Sequence, residues 1–122
     1  MKNVYDNAKV YDNAIIFGNA IIFENAQVYG NAKVYDNANV CGNALIYENA
    51  QVYEDAEVYG NASIYGNAEI YGNASIYGNA KIYGKTWVSG NTKIYGNAIV
   101  SINKFFKNFI ICGKARFIKN TN

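Results

Sequence analysis

Along this chain, apolar and polar positions alternate with a period of two inside a larger period of six. The unit reads Asn-Ala-x-Val/Ile-Tyr-x and runs almost unbroken from Val4 to Val100. All seventeen aliphatic slots over that span are Val or Ile, and fourteen of the sixteen slots from Ala8 to Ala98 are Ala, with Thr86 and Thr92 as exceptions. Fifteen of the seventeen slots from Asn7 to Asn103 are Asn, with Asp55 and Lys85 as exceptions. A period this strict dictates architecture and leaves little of the sequence free to encode chemistry. Within Ala8-Lys9-Val10-Tyr11 the alternation predicts a short strand, with Ala8 and Val10 on one side and Lys9 and Tyr11 on the other. A two-residue corner such as Asp12-Asn13 then bends the chain. Asn tolerates a left-handed backbone, and Gly precedes Asn in nine hexads.

Strands this short bury a face only if the chain coils on itself, with Ala and Val/Ile inside. Burying a Val or Ile contributes roughly 1.5–3 kcal/mol, so seventeen of them suffice for one compact rod without disulfide or metal. A meander of hairpins fails, because every corner has the same chemistry and no Asn-Gly turn occurs.

The run VYGNASIYGNAEIYGNASIYGNAKIYG resembles the hexapeptide repeat of left-handed parallel β-helices, most closely the YdcK-like β-solenoid repeat. The hexapeptide pattern wants an aliphatic residue followed four positions later by a small one, as in Val4 with Ala8 and Val10 with Ala14. The resemblance covers roughly residues 3–103. It implies an all-β chain forming a single left-handed parallel β-helix, a three-sided β-solenoid of six to seven coils. Three hexads per coil make residues eighteen apart stacked neighbours. The outward columns are then Tyr5-Phe23-Cys41-Tyr59-Tyr77-Tyr95, Tyr11-Tyr29-Tyr47-Tyr65-Tyr83 and Phe17-Tyr35-Tyr53-Tyr71-Ser89. Asn stacks on Asn at the corners, where side-chain amides form ladders.

After Val100 the register slips. Ile111-Cys112-Gly113-Lys114-Ala115-Arg116-Phe117 reads as another hexad displaced by one residue, and Phe109 takes a slot that was Ala. The expectation is one domain over 1–122, regular over 1–100, with 101–122 a distorted C-terminal capping coil in which Phe109 is the hydrophobic plug. The N-terminal coil is expected to be uncapped.

Composition narrows the chemistry. No apolar run approaches the roughly 20 residues of a membrane-spanning helix, and no signal peptide opens the chain, so the expected location is cytoplasmic. Cys41 and Cys112 fall on one face about four coils apart, too far for a disulfide, and read as free thiols. The chain has no His. Hexapeptide acyltransferases, which resemble this fold, typically use His as general base, and the carbonic anhydrases of the fold hold their metal with it. Neither a catalytic centre nor a metal or cofactor is therefore expected. Glu54, Asp55 and Glu57 lie close together, but on an exposed corner they read as a solvated acidic edge. Ice binding, which in this fold relies on Thr columns, is rejected because only Thr86, Thr92 and Thr121 are present.

Charge is uneven. Residues 1–72 carry nine acids against three lysines, a net −6, and residues 73–122 carry eight cations and no acid, a net +8. The departures from the repeat fall in the basic part: Lys85 for Asn, Trp87 for a polar residue and Ser89 for Tyr. One coil on, Phe105 should stack over Trp87 and Lys107 over Ser89. Lys85, Trp87, Phe105 and Lys107, with Lys81, Lys93 and Arg116 nearby, form the expected partner-binding surface. The first functional expectation is a non-catalytic interaction module for a protein or nucleoprotein partner, such as a phage-type inhibitor of a nucleic-acid enzyme, with direct nucleic-acid contact through the basic end. The second is a structural or self-assembling element, a homo-oligomer through the exposed N-terminal coil or the Tyr faces. The third is a non-catalytic relative or subunit of hexapeptide acyltransferases. No membrane partner is expected.

Overall fold

The computed structural model describes residues 3–118; Lys2, Lys119 and Thr121, and with them the outer limits of the expected 1–122 domain, lie outside the described residues. The described residues form nineteen strands of two or three residues and no helix. The strands stack as three parallel sheets of seven, six and six strands, so the chain is a three-sided β-solenoid of more than six coils. Each face is named here by its aromatic column. The Tyr11 face runs from Lys9–Val10 to Arg116–Ile118, the Phe17 face from Ile15–Ile16 to Phe105–Lys107, and the Tyr5 face from Ile21–Ile22 to Ile110–Ile111. Val4 bridges Ile22 at the start of the Tyr5 face.

The alternation read from sequence is what the sheets use. Partners are eighteen residues apart, as in Lys9 with Gln27 and Val10 with Val28. The Lys9 N–H donates to the Ala26 carbonyl at 3.0 Å and the Tyr11 N–H to the Val28 carbonyl at 3.1 Å, a pattern repeated from coil to coil. From Ala20 to Val100 the inward Ala and Val/Ile slots have no solvent exposure, and Thr86 and Thr92 are equally buried. Outward rings stack in parallel, with centroids 4.9 Å apart for Tyr11–Tyr29 and 4.7 Å for Phe17–Tyr35. Amide ladders form in part, Asn43 donating to Asn61 and Asn79 to Asn97, each at 3.2 Å.

Each regular corner is a turn closed from the Ala N–H to the carbonyl three residues back, as in Ala32 to Tyr29 at 3.3 Å. The sequence left two candidates for the left-handed residue, and the structure selects the slot before Asn. Asp6, Asp12, Glu24, Asp36, Glu48 and Glu54 have φ of 55–57° there, and Gly fills the remaining slots as far as Gly96, while the Asn of the repeat is not left-handed. The acids are held by a second bond. Each carboxylate accepts the N–H of the left-handed residue one coil on, for example Asp12 from Gly30 at 3.1 Å and Glu54 from Gly72 at 2.8 Å.

The register slip is localised. Trp87 pairs with Phe105 eighteen residues on, whereas Lys93 pairs with Ile110 seventeen on, so one corner residue is lost between Lys107 and Ile110. Asn108 takes the left-handed slot at φ 63°, and the slot normally held by Asn is missing. The two Thr substitutions serve this disturbed coil. The Thr86 hydroxyl donates to the Tyr83 carbonyl at 2.8 Å and accepts the Ile102 N–H at 3.0 Å, and the Thr92 hydroxyl accepts the Phe109 N–H at 3.1 Å. The plug differs from expectation. Phe109 does occupy an Ala slot, but with no described coil beyond it the residue is 47 % exposed. Phe106, in an aliphatic slot, fills the interior at 2 % exposure, with Phe109 and Phe117 packed edge-on at 5.4 and 5.7 Å. At the other end Val4, Ala8, Val10, Ala14 and Ile16 are only partly buried among the described residues.

Candidate functional site: the aromatic and basic patch on the Phe17 face

On the Phe17 face, the column of polar slots reads Lys33, Gln51, Glu69, Trp87, Phe105 in direct register. The adjoining aromatic column reads Tyr35, Tyr53, Tyr71 and then Ser89 and Lys107. In the lower coils the columns are tied together across the strands. Tyr35 donates its phenol hydrogen to Gln51 at 3.1 Å, and Tyr53 to Glu69 at 2.8 Å. Burial first, then the carboxylate of Glu69, pushes the Tyr53 phenol well above its ordinary pKa of 10. Trp87 breaks this sequence. Its indole is a donor only and cannot accept from Tyr71. From Trp87 onward the face changes from a hydrogen-bonded surface to an open aromatic one.

Trp87 and Phe105 are cross-strand neighbours, 46 % and 50 % exposed. Ser89, where the stacked ring is missing, is nearly buried and donates to the Phe106 carbonyl at 3.4 Å; Lys107 pairs with it one coil on and is exposed. Lys85 is exposed in the corner leading into the Trp87 strand. Four of the seven expected residues thus share one face. The other three do not. Lys81 and Arg116 lie on the Tyr11 face, where Lys81 pairs with Ile99 and Ile99 with Arg116. Lys93 lies on the Tyr5 face, paired with Ile110. Arg116 is also committed internally, its Nη1 donating to the carbonyls of Asn97 at 2.8 Å, Lys114 at 3.0 Å and Ala115 at 3.1 Å. Ile110, 70 % exposed beyond Lys93, adds apolar surface that sequence reasoning missed, because its outward slot depends on where the slip falls.

The other candidate chemistries find no organised site. The Glu54 carboxylate caps the Gly72 N–H, and Asp55 accepts from Asn37 at 3.3 Å. Among the described residues no group of three or more His, Cys, Asp or Glu side chains is placed to hold a metal ion. Cys41 and Cys112 are free thiols, and burial with Glu24 and Glu57 nearby pushes the Cys41 thiol up. Among the described residues no helix is long and apolar enough to cross a membrane.

The architecture is that of a hexapeptide-type β-solenoid. The family model of the YdcK β-solenoid repeat matches residues 26–40 and 38–54, so the chain carries that repeat in its second and third coils. No curated protein and no solved structure is significantly similar to the chain.

Proposed function

We propose that the chain is a rigid, non-catalytic interaction module that docks a protein or nucleoprotein partner through Lys85, Trp87, Phe105 and Lys107. The observation that carries this reading is the pairing of exposed Trp87 with exposed Phe105 at the point where the hydrogen-bonded pattern of the Phe17 face ends. Both are large exposed aromatics in outward slots that the repeat fills mostly with polar residues. Large aromatic side chains ringed by cations suit a partner with an acidic surface: charge steers encounter, and an indole that becomes buried on docking slows dissociation. An inhibitor of a nucleic-acid enzyme, acting in the cytoplasm, is a relationship this chemistry suits. The non-enzymatic reading rests on the absence of His in a fold whose enzymes depend on it.

The test compares pull-downs from the native host using the intact chain and the Trp87→Ala/Lys85→Glu variant. Intact protein is expected to retain a specific partner, with affinity falling as salt rises. Trp87→Ala is expected to weaken binding by about 2 kcal/mol or more, with the fold unchanged because the side chain points outward. A captured partner whose affinity ignores Trp87→Ala moves the site to the Tyr11-to-Tyr83 column.

A further inference from the structure

The two outer edges of the solenoid complement one another. We propose that the chain associates with copies of itself end to end, the first described coil of one copy docking on the last described coil of the next. Three observations point to this occupant. The first is polarity of the backbone ladder. Within the rod, N–H groups such as those of Lys9 and Tyr11 face the following coil, and carbonyls such as those of Ala26 and Val28 receive them. On the last coil Ile110, Cys112, Arg116 and Ile118 hold the donor position with no acceptor among the described residues; on the first, Ala8, Val10, Ala14 and Ile16 hold the acceptor position. Unpaired strand edges of this kind recruit another chain.

The second observation is apolar fit. The last described strand lies on the Tyr11 face, so the docked copy is set on the Phe17 face, rotated by one face. Its Val4 then lies over Phe106, Val10 over Ile111 and Ile16 over Phe117. This closes an interior that is now only partly covered at Val4, Val10 and Ile16. The third is charge. The first coil carries Asp6 and Asp12 at its corners against one strand lysine, Lys9, and the last carries Lys104, Lys107, Lys114 and Arg116 with no acid, all exposed. A head-to-tail contact with complementary ends does not close on itself, so it builds rods whose length grows with concentration. The lateral face at Trp87 stays open in such a rod, while the Phe105–Lys107 strand borders both surfaces, so the charge variants below leave Phe105 and Lys107 in place.

The test is sedimentation velocity of the 122-residue chain across a concentration series, with two charge variants that avoid the left-handed corner residues and the Trp87 patch. Asn7→Lys/Asn13→Lys makes the first coil basic, and Lys104→Glu/Lys114→Glu makes the last coil less basic and more acidic. Circular dichroism establishes that both retain strand content. The wild-type chain is expected to form species that lengthen with concentration and shorten with salt. Each variant alone is expected to associate at least tenfold more weakly than wild type, and an equimolar mixture is expected to restore assembly. Wild type holding the mass of a single chain throughout would overturn the proposal. So would variants that assemble like wild type, which points to lateral contacts, or a mixture that fails to restore it.

Discussion

The corners from Asp6 to Glu54 and those from Gly60 to Gly96 solve one backbone problem with two chemistries. In the first region the left-handed slot is Asp or Glu six times and Gly three times; in the second it is always Gly. A left-handed backbone costs a non-glycine residue roughly 1–2 kcal/mol. The acidic corners offset this with a carboxylate that accepts a neighbouring coil's N–H at 2.8–3.1 Å. The glycine corners have no such strain, and Gly66 and Gly72 still donate their N–H groups to the Glu48 and Glu54 carboxylates one coil back. The contrast revises what the charge asymmetry means. Of the nine acids, Asp55 and Glu69 also accept side-chain hydrogen bonds, so only Glu57 has no such internal role. The acidic half of the rod is largely a consequence of corner construction. The exposed aromatic pair Trp87 and Phe105 lies in the other half.

The comparison breaks most readily at a glycine corner. A Cβ on Gly66 would stand 2.6 Å from the Gly84 backbone nitrogen, and φ is +65°. Gly66→Ala is therefore expected to cost about 2 kcal/mol or more in chemical denaturation. At Gly18, under Asp36, the same contact is 3.0 Å, and Gly18→Ala should destabilise less.

An acidic corner should respond more mildly. Glu54→Ala keeps the strained backbone and leaves the Gly72 N–H without its carboxylate, a loss of about 1 kcal/mol. Glu54→Gly relieves the backbone while losing the same bond, and its midpoint should lie between those of wild type and Glu54→Ala.

The smallest effect concerns the phenols that the acids touch. Burial raises the pKa of Tyr29, Tyr35, Tyr47, Tyr53 and Tyr65, and the ordinary value of 10.0 applies once the chain unfolds. Their contribution to stability is thus complete below pH 10 and is lost as pH rises beyond it. Absorbance titration near 295 nm should show phenols ionising late, and Tyr53→Phe should remove part of the latest phase.

Much of this fold was legible because a six-residue period repeated over Val4 to Val100 admits few structures. The stacking interval, the aromatic columns and the one-residue slip all follow from it. The left-handed slot was not settled, since Gly, Asp and Asn all tolerate that conformation and stand side by side at the corners. The plug was misassigned to Phe109 because sequence placed that residue in an inward slot without showing that no described coil covers it. The candidate site was legible where it followed direct register, as in Trp87 with Phe105 and Ser89 with Lys107. Lys81, Lys93 and Arg116 are close in sequence to that patch, yet corners intervene and carry them to other faces.

The most direct test of the two-chemistry account is to exchange one corner for the other. Gly72 has φ +64°, and a Cβ there would lie 2.7 Å from the Gly90 nitrogen, the stacking in which Asp12 already sits over Gly30. Thermal unfolding of Gly72→Asp and Gly72→Ala should be measured side by side. Asp is expected to stay about 1 kcal/mol closer to wild type, because its carboxylate reaches the Gly90 N–H. If Ala is as stable as Asp, or Asp is the worse of the two, the corner carboxylates do not do what this account assigns to them.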